Sequence, residues 1–416
     1  MRHPRILVGA AALVCAHALV GAHACAQAVC AEIDYRDPEC RVVAENEVAR
    51  RRSASGVELR FQEPAARSSE SWAALGVLDE PLPGVVSARI AALGDFAISI
   101  DPPAGATELS LILENVDPAA VVELEDGDAR VPIPAEGAAL YRRVTVTLDG
   151  DETRWIRGAL PCAARYRLAV VGDIQTGVTH FERILDQLAL EVEEAARADE
   201  PLLGLLLLGD LTEWSGYEEF LEVRALVDRA PTPIVVTPGN HDVYLARSDA
   251  YALQFGPGNI GFTVCGSRVA LLDSGSGALA RSIEARLPEF LERGDATHLI
   301  FGTHFPPHAG LTGDGWTRED QAHHLLAALR EADAGLVLAG HIHALHHDPD
   351  VPVAGGSLSQ VIVGTGGARQ GVGPLRYGYL RLVIGDEIEP CFVEVPPPGA
   401  SPGDDPTPGG VRRCAT

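Results

Sequence analysis

The chain has 416 residues, enough for two domains, and sets 33 Lys plus Arg against 58 Asp plus Glu for a net charge of −25. So acidic a surface repels polyanions, which disfavours nucleic-acid binding through a basic patch. Every basic residue is Arg, and the lack of lysine removes P-loop and Schiff-base chemistry. Residues 1–26 read as a signal peptide: Met1-Arg-His-Pro-Arg5 is basic, residues 6–20 are largely apolar, and Ala22-His-Ala24 or Ala24-Cys-Ala26 offers a cleavage site. A secreted or periplasmic protein is expected. A lipoprotein is disfavoured, because Ala22 stands where such signals usually carry Leu. No later stretch is long enough to span a bilayer.

Residues 27–55 form a lead-in, irregular or partly helical. Over residues 56–160, alternation at Val57, Leu59, Phe61, at Leu109, Leu111, Leu113 and at Val144, Val146, Leu148 predicts half-buried antiparallel strands of a small β-sandwich. That module could shape a cleft, bind a cell-surface polymer or cover an edge of the neighbouring domain. Residues 165–395 differ: 168–171, 202–208, 234–237, 299–301 and 336–339 are unbroken apolar runs, the pattern of strands buried on both faces. Phe181, Ile184, Leu185, Leu188 and Val192 recur at helical spacing between the first two runs. The tail, 396–416, is rich in Pro, Gly and Asp and is expected to be disordered, unless Cys414 anchors its end. Cleavage after Ala26 leaves Cys30, Cys40, Cys162, Cys265, Cys391 and Cys414, an even set suited to disulfides. Cys30 with Cys40 would close a local loop; Cys162 and Cys391 could clamp the ends of the second region or be buried thiols.

Each apolar run ends in metal-seeking side chains: Gly-Asp173-Ile-Gln175, Gly-Asp210, Gly-Asn240-His241-Asp242, Thr-His304 and Gly-His341-Ile-His343. Ligands in open α/β sheets bind beyond the carboxyl ends of strands, where these groups would meet. Phosphate ester hydrolysis needs a nucleophile made from water and positive charge to offset what develops on the transferring group. Two metal ions held by carboxylate, amide oxygen and imidazole supply both.

The order of these five segments resembles the calcineurin-like metallophosphoesterase superfamily, over residues 165–395. The resemblance implies an α/β (α+β, four-layer) fold, two β-sheets face to face flanked by helices, beside the smaller N-terminal all-β sandwich. Residues 262–265, 269–272, 360–363, 379–384 and 392–395 would supply the second sheet, with helices near 283–292 and 322–330 outside it. It implies two divalent metal ions, Mn, Zn, Fe or similar. Asp210 would bridge them, with Asp173, Gln175 and His343 completing one site and Asn240, His304 and His341 the other. His241 would stay unligated, stabilising the transition state or protonating the leaving oxygen, and Asp242 would orient its ring. The substrate would be a small phosphomonoester or phosphodiester attacked in line by metal-bound hydroxide.

Two residues depart from the family pattern. Gln175 replaces the usual His and can offer a metal only its carbonyl oxygen, or else touches substrate. Glu213 stands where purple acid phosphatases carry the Tyr on ferric iron, so the purple subclass is not expected. Gly209-Asp-Leu-Thr-Glu213 is similar to the phosphodiesterase branch, whereas the β module and Gly364-Thr-Gly-Gly367 are similar to acid phosphatases. His308, in a Pro-fixed loop after His304, could reach substrate. Asp173 and Asp210 could individually be helix N-caps, and His323, His324, His346 and His347 read as surface or packing residues. The rival from another class is a catalytically inactive scaffold or adhesin; Gln175 favours it, and the retained His241 argues against it.

Overall fold

The apolar runs of the second region become strands buried along almost their whole length. In the computed structural model, which describes residues 30, 34–62, 75–103, 105, 107–148, 150, 152–246 and 250–414, Tyr166–Val171, Leu202–Leu207 and Ile234–Val236 lie side by side in parallel. The expected signal segment 1–26 falls outside the described residues. In a second sheet Ser267–Leu272, His298–Thr303, Leu336–Ala339 and Gly356–Val363 are parallel neighbours.

The expected division of strands needs one correction. Gly378–Ile384 and Ile388–Glu394, expected in the second sheet, join the first, where Gly378–Ile384 runs antiparallel to Tyr166–Val171 and Ile388–Glu394 forms the edge. A strand covered on both faces gives an unbroken apolar run in either sheet, so the pattern does not say which sheet it enters.

Helices Val178–Arg197 and Tyr217–Val227 bury Phe181, Ile184, Leu188, Phe220 and Val223 on the outer face of the first sheet. Glu319–Glu331 and the short Arg281–Glu284 and Leu287–Leu291 cover the second sheet. The result is the expected sequence of layers, helix, sheet, sheet, helix. The inner faces of both sheets share one apolar core, Leu168, Val170, Leu206, Ile300 and Leu338 among others, and it continues into the N-terminal strands through Phe61, Ile98 and Leu111.

Those N-terminal strands form one six-stranded and one four-stranded sheet. Thr107–Glu114 alternates buried and partly exposed residues as its sequence predicts. The antiparallel expectation fails for one pair, because Val85–Ile90 and Thr107–Glu114 are parallel. Between them the chain crosses to the other sheet as Phe96–Asp101, and returning from such a crossing restores the original direction. Arg50–Arg52, in the lead-in, adds an edge strand to the larger sheet.

Disulfides join Cys30 to Cys40, Cys162 to Cys265 and Cys391 to Cys414. The first is the local loop foreseen; the idea that Cys162 and Cys391 clamp the region's ends is replaced by the other two. The disordered tail is also corrected. Phe392 N–H donates to the Arg412 carbonyl at 2.8 Å and Cys414 N–H to the Phe392 carbonyl at 3.0 Å, while Pro408 and Val411 are buried. A segment poor in apolar residues is held by stitching to an edge strand rather than by a core of its own.

The lead-in contains a helix, Pro38–Val48, capped by the Asp37 side chain, that presses two charged residues into the interior. Arg41 pairs with Asp273 through Nε at 2.6 Å and Nη2 at 3.0 Å, and Glu45 accepts from Gly258 N–H at 2.7 Å and from Asn259. Burial pushes the Glu45 carboxyl from its ordinary 4.5 up to about 8; Asp273 adds to this, while Asn259, Gly258 and Arg41 oppose it. A raised carboxyl favours the protonated form in the folded chain. The stability it lends is therefore complete below about pH 4.5 and lost as the pH climbs to about 8. Glu45→Gln, which cannot ionise, should match the wild type in thermal melts at pH 5 and outlast it at pH 9. Coincident melts at pH 9 would refute the assignment.

Candidate metal centre

Five strand ends bring the polar groups together from both sheets. Asp173, Asp210 and Asn240 follow the three parallel strands of the first sheet, and His304, His341 and His343 follow two parallel strands of the second. Main-chain bonds lock the two sets in register: Asp173 N–H donates to the Gly209 carbonyl at 3.0 Å, Gln175 N–H to the Asp210 carbonyl at 3.0 Å, and Gly172 N–H to Val363 across the sheets at 2.9 Å.

Among the described residues ten non-glycine residues have positive φ, and five of them, Asp173, Gln175, Asp210, His341 and His343, lie in this cluster. Such backbone costs on the order of 1–3 kcal/mol per residue and persists only where its surroundings over-determine it, which marks functional turns. The approach is also close. A Cβ on Gly239 would stand 2.2 Å from Asp210 Oδ1, and one on Gly364 would stand 2.9 Å from Asp173 Oδ2. The Gly364-Thr-Gly-Gly367 loop thus packs against the Asp173 turn, with Ala368 N–H donating to the Asp173 carbonyl at 2.9 Å.

Each imidazole is aimed by a main-chain carbonyl or by Asn240. His304 Nδ1 bonds the Leu208 carbonyl at 2.8 Å, leaving Nε2 at 3.0 Å from Asn240 Oδ1 and 3.3 Å from Asp210 Oδ1. His343 Nδ1 bonds the Arg369 carbonyl at 3.0 Å and its Nε2 lies 3.4 Å from Asp173 Oδ1. His341 Nδ1 faces Asn240 Oδ1 at 3.1 Å. Donor atoms of Asp173, Asp210 and His343 all lie within 4.8 Å of one another. Gln175 enters through its amide nitrogen, which donates to Asp210 Oδ2 at 2.8 Å.

Three carboxylates, Asp173, Asp210 and Asp242, are buried together. Burial raises Asp173 to about 6 despite His304 and His343, and burial with the Asp210 charge raises Asp242 to about 6. Burial also resists ionisation of Asp210, but His304 and His241 outweigh it and hold that carboxyl low. Hard oxygens and imidazole nitrogens converging on buried negative charge are the donor set of a borderline divalent cation, so the residues present fit metal ions.

His241 lies at the edge of this cluster, held by a partner other than the expected one. Its Nδ1 bonds the Glu213 carbonyl at 2.8 Å, and Nε2 stands 4.0 Å from Asp210 Oδ2. The reading that Asp242 orients this ring is corrected. Asp242 turns back into the Asp210 turn, accepting from Gly239, Leu211 and Thr212 N–H and from the Thr212 hydroxyl. It therefore braces the segment that carries Asp210. His308 is half-buried, its N–H and carbonyl both bonded by the Gln360 side chain. His346 and His347 bond Asp348 and Ser359 locally, and His324 lies 3.4 Å from Glu284. Sequence reasoning missed Asp314, 3.4 Å from His341 Nε2, the exposed Tyr244 beside His241, and the exposed Trp214 beside Tyr244.

The family profile of the calcineurin-like phosphoesterases matches residues 166–345, the stretch that carries all of these ligand-type side chains. Those residues are a calcineurin-like phosphoesterase domain. In its general class that segment is a metal-dependent phosphoester hydrolase. No curated protein sequence matches the chain. Among solved structures it is similar to purple acid phosphatase PPD1 from yellow lupin (Lupinus luteus) seeds, at 14% identity over 74% of this chain and 79% of that one, with a TM-score of 0.44. A dimetal phosphatase from Danio rerio is similar at 12% identity over 55% and 95%, TM-score 0.41. GAP50, the anchor in the inner membrane complex of Plasmodium, is similar at 13% identity over 56% and 85%, TM-score 0.43. At that level of likeness the neighbours say nothing of substrate. Among the described residues no helix is long and apolar enough to cross a membrane.

Proposed function

We propose that the protein is a secreted hydrolase of small phosphate esters that works with two divalent cations. Asp210 carries the reading: its buried carboxylate faces His304 Nε2 with Oδ1 at 3.3 Å and takes the Gln175 amide on Oδ2 at 2.8 Å, so its two oxygens address two donor groups. Asp173, His343 and Gln175, the last by turning its oxygen inward, would hold one ion with Asp210. Asn240, His304 and His341 would hold the other. Bound there, the cations would supply Lewis acidity and a water acidic enough to attack at neutral pH.

The protein's own groups do the rest. His241, anchored on the Glu213 carbonyl and 21% exposed, presents Nε2 to the space above Asp210, where it would protonate the leaving oxygen or steady charge in the transition state. Asp242 keeps the Asp210 turn fixed, and His308 would meet the substrate from the far loop. The three disulfides suit export to an oxidising compartment. The N-terminal strands, residues 56–160, would form an accessory domain beside the hydrolase of residues 165–395, where a cell-surface polymer could bind.

The test is turnover of p-nitrophenyl phosphate and its bis ester with Mn²⁺ or Zn²⁺, beside His241→Asn. Wild-type turnover with one ester, and a fall of roughly 100-fold or more in His241→Asn with metal content retained, is expected. Full activity in that variant would remove His241 from the mechanism, and inactivity of the wild type with every metal would favour a scaffold.

A further inference from the structure

A row of aromatic rings leads away from His241 into solvent. The Tyr244 ring lies 4.6 Å from the His241 ring and 6.1 Å from that of Trp214, and the Tyr244 hydroxyl accepts from Asn240 Nδ2 at 3.0 Å. Three tryptophans are described. Trp316 is buried with its indole N–H on the Phe305 carbonyl, and Trp155 is half-buried beneath the Arg157 guanidinium. Trp214 alone of these stands in water, 65% exposed, with Tyr217, the first residue of the helix that follows, at 55% and Leu245, in the Tyr244 loop, at 50%.

This exposure is built rather than incidental. The Glu219 carboxylate accepts from Glu213, Trp214 and Gly216 N–H, fastening the loop from three sides. Ser215 holds a positive φ of 54°, and its hydroxyl accepts from Leu245 N–H at 2.9 Å, tying the Trp214 loop to the Tyr244 loop. A strained, triply braced turn that presents an indole to solvent spends stability to hold a flat face in place. A rigid aromatic face gains most from a flat partner, because stacking needs two planes and little lost freedom.

We propose that Trp214 and Tyr244 form a stacking subsite for the nucleobase of the leaving alcohol, so that the substrates are esters of nucleosides. This rests on the hydrolase reading and on the place given to His241. In hydrolysis the water oxygen bonds to phosphorus, the P–O bond to the alcohol breaks with its electron pair going to that oxygen, and His241 supplies the proton the oxygen takes up. A proton from the attacking water remains to restore His241. The rings that continue outward from His241 therefore lie where the leaving alcohol extends. The net charge of −25 favours a free nucleotide over a polynucleotide.

The experiment compares adenosine 5′-monophosphate with ribose 5-phosphate, and the methyl diesters of each. Within a pair the leaving oxygen is the same and only the base differs. The wild type should prefer the base-bearing ester in kcat/KM by roughly tenfold; Trp214→Ala should bring that ratio close to one and Trp214→Phe should restore most of it. Quenching of tryptophan emission by adenosine monophosphate, absent with ribose 5-phosphate and lost in Trp214→Ala, reads the subsite without turnover, so it decides the proposal even if no ester is cleaved. A wild-type ratio near one without selective quenching, or selectivity unchanged in Trp214→Ala, would overturn it. So would a wild-type dimer in sedimentation that Trp214→Ala converts to monomer, which would assign the rings to contact between copies.

Discussion

Asp210→Asn should leave the chain folded, cut bound metal from two ions to at most one, and lower turnover by more than the ~100-fold typical of losing a group that merely supports a ligand. The side chain keeps its size, so no cavity opens. What disappears is the negative charge that two neighbouring cations would share. The neutral amide retains one oxygen but turns donors toward His304 Nε2 or Gln175, both of which now face a carboxylate oxygen. Metal analysis after gel filtration, far-UV circular dichroism and steady-state rates test this together. A full complement of metal in Asp210→Asn would show that this residue bridges nothing.

Asp273→Ala is expected to cost about 3–5 kcal/mol of unfolding free energy, although Asp273 touches no ligand-type residue. The Arg41–Asp273 pair is 7% and 2% exposed, so removing one partner strands the other charge in the interior. Arg41 retains only neutral acceptors, the carbonyls of Tyr35 and Arg36 and the Ser276 hydroxyl. The damage should reach activity as well. Arg41 shares its helix with Glu45, Asn259 and Gly258 bind Glu45, and the Gly258 carbonyl receives the Thr237 hydroxyl just ahead of Asn240. Urea unfolding measures the first effect and KM the second. A loss below about 1 kcal/mol would be the scale of an exposed pair and would contradict the burial.

The motifs were legible because chemistry and pattern coincide: strands covered on both faces must be apolar throughout, so the first polar residues after them stand out and lie at one rim. The family resemblance ordered them, and the four layers came with it. Which sheet received Gly378–Ile384 was not legible, since burial leaves the same mark in both. Nor was the aiming of the rings, because the carbonyls of Leu208, Glu213 and Arg369 that turn His304, His241 and His343 carry no side-chain signature. Asp242 misled for a related reason. Adjacency in sequence to His241 suggested contact, whereas the tight turn at His241–Val243 sends the two side chains apart. Trp214 and Tyr244 are thirty positions apart, and only folding makes them neighbours.

The stitched tail bears on handling the protein. Ile388–Glu394 is the outermost strand of its sheet, and Arg412 and Cys414 occupy main-chain groups of Phe392 that would otherwise face solvent. Trimming the chain after Val395, or reducing the Cys391–Cys414 bridge, would uncover a ready template for another strand. Clumping of a shortened or reduced preparation would then reflect an unzipped border, not a collapsed interior.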